Sequence, residues 1–244
     1  MDGLTVLVLA AGAGSRLAPA VGPRPKPLVE IAGAPVLVHN LRWLAAAGVR
    51  HVWINLHYGA ALIREAIGDG SALGLEVSYL FEPALLGTAG ATRNLDGAWR
   101  DQLLVVYGDN FARFSVTDLL AFHRHHPDPV SIAVFDPRRC ANTGIAGGRI
   151  TLGRGSRVKS FTEGTPAAGG GMVNAGVYVL DAFIRAATAG DGPLDFGRDV
   201  FPALLAAGVP MRGYEIDGFC LGLDTPASYG RALEMVDRGE VVLA

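Results

Sequence analysis

The sequence is poor in the residues that would bind it to a membrane, a nucleic acid or an oxidising compartment. Cysteine is scarce: the 2 present, Cys140 and Cys220, lack C-x-x-C spacing and make no disulfide framework. An excess of one charge is lacking too. The formal net charge is -2, and no cluster of Lys or Arg offers a basic footprint to nucleic acid or to a lipid surface. No apolar run approaches the roughly 20 residues of a bilayer span. The first residues, MDGLTVLVLAAG, carry no basic n-region and run straight into a strand pattern, so they do not read as a signal peptide. A cytoplasmic protein is the expectation. Two chemistries are argued against as well. There is no G-x-S-x-G elbow for a nucleophilic serine. His123, His125 and His126 close a helical pattern without an acidic or cysteine partner at ligand spacing, which speaks against zinc. Trp43, Trp53 and Trp99 fall in core-like segments and suggest no stacking platform. Lysine is the last shortage. Among 21 basic residues only Lys26 and Lys159 are lysines, so the place of Lys26 carries information.

What is present is apolar and ordered. Hydrophobic residues make up 50% of the chain, enough for the core of one large α/β domain over residues 1–244. Thr5–Ala10 is a continuous apolar run, the mark of a strand covered on both faces. Pro35–Gly48 follows with Leu37, Leu41 and Leu44 at helical spacing. Strand patterns at His51–Asn55, Glu76–Phe81 and Leu103–Tyr107 then alternate with helical ones at Ala60–Ile67, Thr88–Leu95 and Val116–His125. That order argues for β-α-β units and a mixed, mostly parallel central sheet flanked by helices, in the Rossmann-like manner. After Pro129 shorter strand patterns dominate: Val130–Phe135, Arg149–Leu152, Val158–Phe161 and Val173–Leu180. Helices at Phe196–Ala207 and Pro226–Arg238 flank a last strand near Arg212–Ile216. The glycine-rich stretch Thr165–Gly171 reads as a flexible loop inside the domain.

The first strand runs into LVLAAGAGSRLAPAVGPRPKPL, Leu7 to Leu28. Two familiar phosphate loops fail here. The third position of a G-x-G-x-x-G fingerprint is Leu17, and the second strand ends on Asn55 rather than an acid. A G-x-x-x-x-G-K-[ST] loop fails because Lys26 stands between prolines. What remains is a loop whose backbone at Gly12 and Gly14 can approach an anion closely, with Arg16 as a charged clamp. Pro25 and Pro27 stiffen the base from which Lys26 projects. The plain alternative is a tight turn with a surface lysine. Asp109 follows the apolar strand that ends at Tyr107, where open α/β sheets place their ligands, although Gly108 and Asn110 suit a turn equally. Asp224, in C-L-G-L-D-T-P, is either a second carboxylate of a site or the N-cap of the helix at Pro226.

The run G-A-G-S-R-L followed by P-K-P-L resembles the signature of the sugar-1-phosphate nucleotidyltransferases. Other stretches fall in the family order: Gly87-Thr88-Ala89-Gly90, Tyr107-Gly108-Asp109-Asn110, Phe161-Thr162-Glu163 and Asn174-Ala175-Gly176. The resemblance covers nearly the whole chain. It implies that Leu9, Ala10, Ala11, Gly12, Gly14 and Ser15 bind the nucleotide together with Glu82, Gly87, Thr88 and Ala89, and that Arg16 and Lys26 are catalytic. It places the sugar near Asn110, Gly144, Glu163 and Asn174. It implies Mg²⁺ on Asp109 and on Asp224, with Asp217 in reserve for the second position. Residues 1–128 would then form a nucleotide-binding half and 129–244 a sugar-phosphate-binding half.

One position departs from the family pattern. F-x-E-K is usual, and its lysine supports the sugar phosphate; here Gly164 follows Glu163, leaving Lys159 or an arginine to take the part. The expected reaction joins an NTP and a sugar 1-phosphate into an NDP-sugar and pyrophosphate. The attacking phosphate is already an anion, so no strong general base is needed. Glu82-Pro83 leading into L-G-T-A-G resembles the mannose- and heptose-1-phosphate guanylyltransferases, which favours GTP. Leu223-Asp224-Thr225 leans instead toward cytidylyl enzymes, and uridylyl enzymes share most of the rest. A non-catalytic nucleotide-sugar sensor is the rival from another class. Neither nucleic acid nor membrane is expected as a partner, and a homo-oligomer stays open.

Overall fold

A computed structural model of the chain describes residues 3–95, 97–145, 147–164 and 171–241. Residues 165–170, most of the glycine-rich stretch read as a flexible loop, lie outside the described residues. The first half builds β1 (Leu4–Leu9), a short α1 (Ala18–Val21), the small hairpin β2 (Glu30–Ile31) and β3 (Ala34–Pro35), and α2 (Val36–Ala46). Then come β4 (His51–Leu56), α3 (Ala60–Ile67), β5 (Glu76–Phe81), α4 (Gly87–Gly90), β6 (Gln102–Tyr107), β7 (Asn110–Arg113) and α5 (Val116–Arg124). The second half adds β8 (Val130–Phe135), β9 (Ala141–Asn142), β10 (Arg149–Leu152), β11 (Val158–Thr162) and β12 (Met172–Asp181). It closes with α6 (Phe201–Ala206), β13 (Met211–Glu215), β14 (Phe219–Gly222) and α7 (Pro226–Asp237).

The main sheet is mixed and mostly parallel. β4 and β6 pair parallel with the two sides of β1, and β5 extends the sheet beyond β4. β13 runs parallel to β8, while the long β12 lies antiparallel to both β6 and β8. The continuous apolar run of β1 is explained by two-sided burial: Val6 and Val8 face one core cluster, Leu7 and Leu9 the other. β12 obeys the same period, with Val177 and Val179 on one face and Tyr178 and Leu180 on the other. A smaller sheet, β7-β14-β9, holds β14 beside Asn110 and thereby sets the chain that follows it, Leu223 to Thr225.

Local chemistry decides where several helices begin. Ser115 caps α5 by accepting from the Asp118 N–H, and Thr225 caps α7 in a reciprocal box with Ser228, Pro226 filling the first turn. Asp224 is therefore not the cap of α7. The helix expected over Thr88–Leu95 is shorter, since α4 passes into a 3₁₀ stretch at Ala91–Leu95. His123 does find an acid: its ring bridges Ser131 Oγ at 2.9 Å and Asp181 Oδ1 at 3.1 Å. Ser131 is fully buried, so this chain of polar groups pins α5 to β8 and β12 rather than serving a substrate. Both cysteines are free. Among the described residues no helix is long and apolar enough to cross a membrane.

Candidate active site

Two adjoining cavities open at the carboxyl ends of the parallel strands β1, β4 and β6. One, of about 390 Å³, is lined by Leu9, Ala10, Ala11 and Gly12 after β1, by Asn55, Glu82, Gly87 and Thr88, and by Pro193. The other, of about 360 Å³, is lined by Arg16, Asn110, Glu163, Asn174, Arg198 and Asp224, among others. Thr88, Tyr107, Asp109 and Asp195 belong to both and form the wall between them.

Lys26 lines neither cavity itself but holds two residues that do, Asp109 in the shared wall and Asp224 in the second cavity. Its Nζ donates to Asp109 Oδ2 at 2.8 Å and to Asp224 Oδ1 at 2.7 Å. Burial alone would pull the ammonium pKa down, but the two carboxylates outweigh it and raise it above the ordinary lysine value. The approach depends on Gly14. Its φ of 62° is left-handed, and a Cβ there would come within 2.6 Å of the Lys26 Cβ. The glycine spacing read as a phosphate loop is thus also what lets the lysine pass beneath it. Arg16, with a side chain 72% exposed, reaches Asp224 Oδ1 at 3.4 Å from the rim.

The cavity beside β4 is organised by a buried polar relay. Asn55 Oδ1 accepts the Ala10 N–H at 2.8 Å, and its Nδ2 donates to Glu82 Oε1 at 2.8 Å. The other Glu82 oxygen accepts the Leu86 N–H at 3.1 Å, so a carboxylate only 1% exposed is held in the cavity wall by two donors. Across the cavity, Asp195 Oδ1 accepts from the Thr88 N–H and hydroxyl, while the Thr88 Oγ1 accepts the Phe196 N–H at 2.9 Å. Burial pushes the Tyr107 phenol up to about 12, so the wall between the cavities stays neutral there.

In the second cavity Glu163 has its carboxyl pKa raised, mainly by burial, against the opposing pull of Arg198. Asn174 accepts the Gly176 N–H and donates to the Tyr178 hydroxyl, which fixes the bulge in β12 where the strand's register shifts.

Most of the residues marked in the sequence come together, and some do not. Ala89 is fully buried behind the first cavity, where its N–H holds Leu194. Gly14 and Ser15 stand on the loop without lining either cavity; Gly144 is likewise one step off, with Ile145 and Gly147 on the wall instead. Asp217 lies away from the site, in a depression with Phe114 and Gly218. Four polar side chains on the walls were missed: Asn55, Tyr107, Asp195 and Arg198. Asn55 had a signal, a polar residue closing an apolar strand; Asp195 in P-L-D-F reads as an ordinary helix cap.

The chain matches the family model described as nucleotidyl transferase over residues 5–220. It is 34% identical over 238 residues to a mannose-1-phosphate guanylyltransferase of Mycobacterium tuberculosis, covering 96% of this chain and 64% of that protein. With the mannose-1-phosphate guanylyltransferase catalytic subunit beta of Danio rerio it shares 29% identity, over 93% of this chain and 62% of that one. It thus spans just under two thirds of the length of these curated relatives, 64% and 62%. HddC from Yersinia pseudotuberculosis, solved in complex with GMP-PN, shares the fold with a TM-score of 0.78 at 22% identity, covering 95% of this chain and 99% of that one. The chain belongs to the nucleotidyl transferase family.

Proposed function

We propose that the chain transfers a nucleotidyl group from an NTP, GTP by preference, to the phosphate of a sugar 1-phosphate, releasing pyrophosphate. The observation that carries this reading is the buried ammonium of Lys26 between Asp109 and Asp224, set where a glycine loop, a base-sized cavity and a sugar-sized cavity meet. A phosphate oxygen of the sugar phosphate bonds to the α-phosphorus as the bond from that phosphorus to the bridging oxygen breaks, so no side chain has to remove a proton. The work left to the protein is to align two anions and to meet the charge that passes to pyrophosphate. Lys26 would steady the α-phosphate, Arg16 would take the leaving pyrophosphate, and the glycine loop would present backbone N–H groups to the triphosphate.

Asp109 and Asp224 suit Mg²⁺. They are hard oxygen donors brought to one cation, and magnesium is commonly held by one or two carboxylates plus substrate phosphates. Among the described residues no group of three His, Cys, Asp or Glu gathers as a metal site, and Asp109 and Asp224 offer a pair. A divalent ion bound there would neutralise phosphate charge.

Glu82 supports the base preference. Guanine presents two adjacent N–H donors along its pairing edge, and a buried carboxylate has acceptor capacity for both, whereas uracil offers one such donor. Relatives named as mannose-1-phosphate guanylyltransferases support the same base. The test is a panel of four NTPs against hexose and heptose 1-phosphates, read as pyrophosphate released. Pyrophosphate should form only with both substrates and Mg²⁺ present, fastest with GTP. No release from any pair overturns the proposal, and a faster rate with CTP or UTP overturns the base preference.

A further inference from the structure

We propose that Arg198 grips the phosphate of the incoming sugar 1-phosphate and so sets the affinity for that substrate; this rests on the nucleotidyl-transfer reading above. The second cavity is electrostatically hostile to an anion. Its wall carries Asp109, Glu163, Asp195 and Asp224 against two arginines, Arg16 and Arg198. A phosphate that enters needs a cation not already engaged.

The other candidates are committed or absent. The Lys26 ammonium is shared between two carboxylates, and the residue is 5% exposed. Arg16 leans on Asp224 at the opposite rim, on the loop that follows β1. Lys159 packs its alkyl chain against Gly153 on the β10–β11 hairpin, about 13 Å of strand before Glu163, and does not line the cavity. A lysine directly after Glu163 would be strained on this backbone, because Gly164 has φ of 74°. Arg198, exposed on the cavity wall, has no hydrogen bond or close ion pair among the described residues.

Its placement is built rather than incidental. Arg198 rides on a π-helical turn, Phe196–Val200, pinned by the Phe196 N–H on Thr88 and by the Asp195 N–H on Asp199 Oδ2 at 2.7 Å. Gly197 has no side chain, and a Cβ there would collide with Glu163 Oε2; Gly148 leaves similar room on the other side. The Glu163 carboxylate therefore slots against the turn, with the guanidinium of the next residue beside it. One group can accept from sugar hydroxyls while the other, a planar fork of donors, faces the phosphate on the same sugar.

The experiment measures initial rates of pyrophosphate release while each substrate is varied in turn, for the wild-type chain, Arg198→Met and Arg198→Lys. Loss of a charge-assisted contact predicts a rise in the sugar 1-phosphate KM of roughly 10- to 100-fold in Arg198→Met. The KM for the NTP should stay within about twofold, since that substrate lies across the wall, and Arg198→Lys, which restores the charge but not the fork, should recover part of the loss. An unchanged sugar-phosphate KM in an active Arg198→Met variant overturns this inference alone, as does an equal rise in both KM values. A wild-type chain that forms no pyrophosphate overturns the functional reading and this inference with it.

Discussion

Replacing Lys26 by methionine separates what the ammonium does for the fold from what it does for the reaction. Methionine keeps the apolar stem and removes the charge. Two carboxylates then face each other without the donor that held them at 2.8 and 2.7 Å. Breaking a fully buried pair costs about 3–5 kcal/mol. Here the two aspartate side chains are 32% and 30% exposed, so water reaches them and the loss shrinks to about 1–2 kcal/mol. For a chain of this size that lowers Tm by roughly 3–6 °C. The pH dependence has a fixed sign. A lysine whose pKa is raised on folding contributes fully below its unfolded value and loses the contribution only as pH climbs through the folded one. The gap in Tm between the two proteins should stay flat near neutrality and narrow only above about pH 10. Adding Asp109→Asn should return part of the lost stability, because the repulsion is then gone. In the reaction, loss of one positioned cation should cut kcat by about 10²–10³ with the NTP KM nearly unchanged. Calorimetry and initial rates of pyrophosphate release report the two effects. An unchanged Tm would deny the ion pair, and a kcat within about threefold of wild type would remove Lys26 from the chemistry.

Asp224→Asn should lower pyrophosphate release by about 10²-fold while Asp217→Asn leaves it within twofold, since only Asp224 meets Lys26; equal losses would mean the wrong aspartate has been chosen. Burial raises the Glu163 pKa, so on acidification it becomes protonated, and poorer as an acceptor, sooner than an exposed glutamate would. The sugar 1-phosphate KM should therefore climb on that acid limb in the wild type, and Glu163→Gln should flatten the limb; parallel profiles would count against the residue. Asp128, 2% exposed and bonded to Arg212 Nε at 2.6 Å, lines neither cavity. Asp128→Ala should cost about 3 kcal/mol in thermal unfolding and leave KM values alone, and a stable variant would refute the buried pair.

The fold was legible where burial is two-sided and the run long. The apolar stretches of β1, β6 and β12 announce themselves because a strand covered on both faces has no polar face to break the pattern. The short strands β7, β9 and β14 were not foreseen. Two to four residues cannot show a period, and they exist because the return segments from the main sheet hydrogen-bond to one another. In the site, the loop residues around Arg16 and Lys26 and the two aspartates could be read, since each lies within two residues of a glycine or proline with a mechanical reason to be there. Asp195 and Arg198 could not. They reach the cavity on a π-helical turn that local propensity does not distinguish from the opening of an ordinary helix.

The direction of one strand explains why there are two cavities rather than one. In an all-parallel sheet every neighbour of β6 would present its carboxyl end beside Tyr107 and Asp109. β12 instead runs antiparallel, pairing Asp181 with Gln102 at the far end and Val177 with Val106 near the site. Its incoming half, with Asn174 and Gly176, therefore arrives at the carboxyl end of β6 and walls off a second space next to the first. The glycine at 176, with φ of 74° and Tyr107 packed against it, makes the bulge that turns Asn174 toward this space. The proposed reaction needs two anions held separately until they meet at one phosphorus, and this strand reversal would supply the second berth.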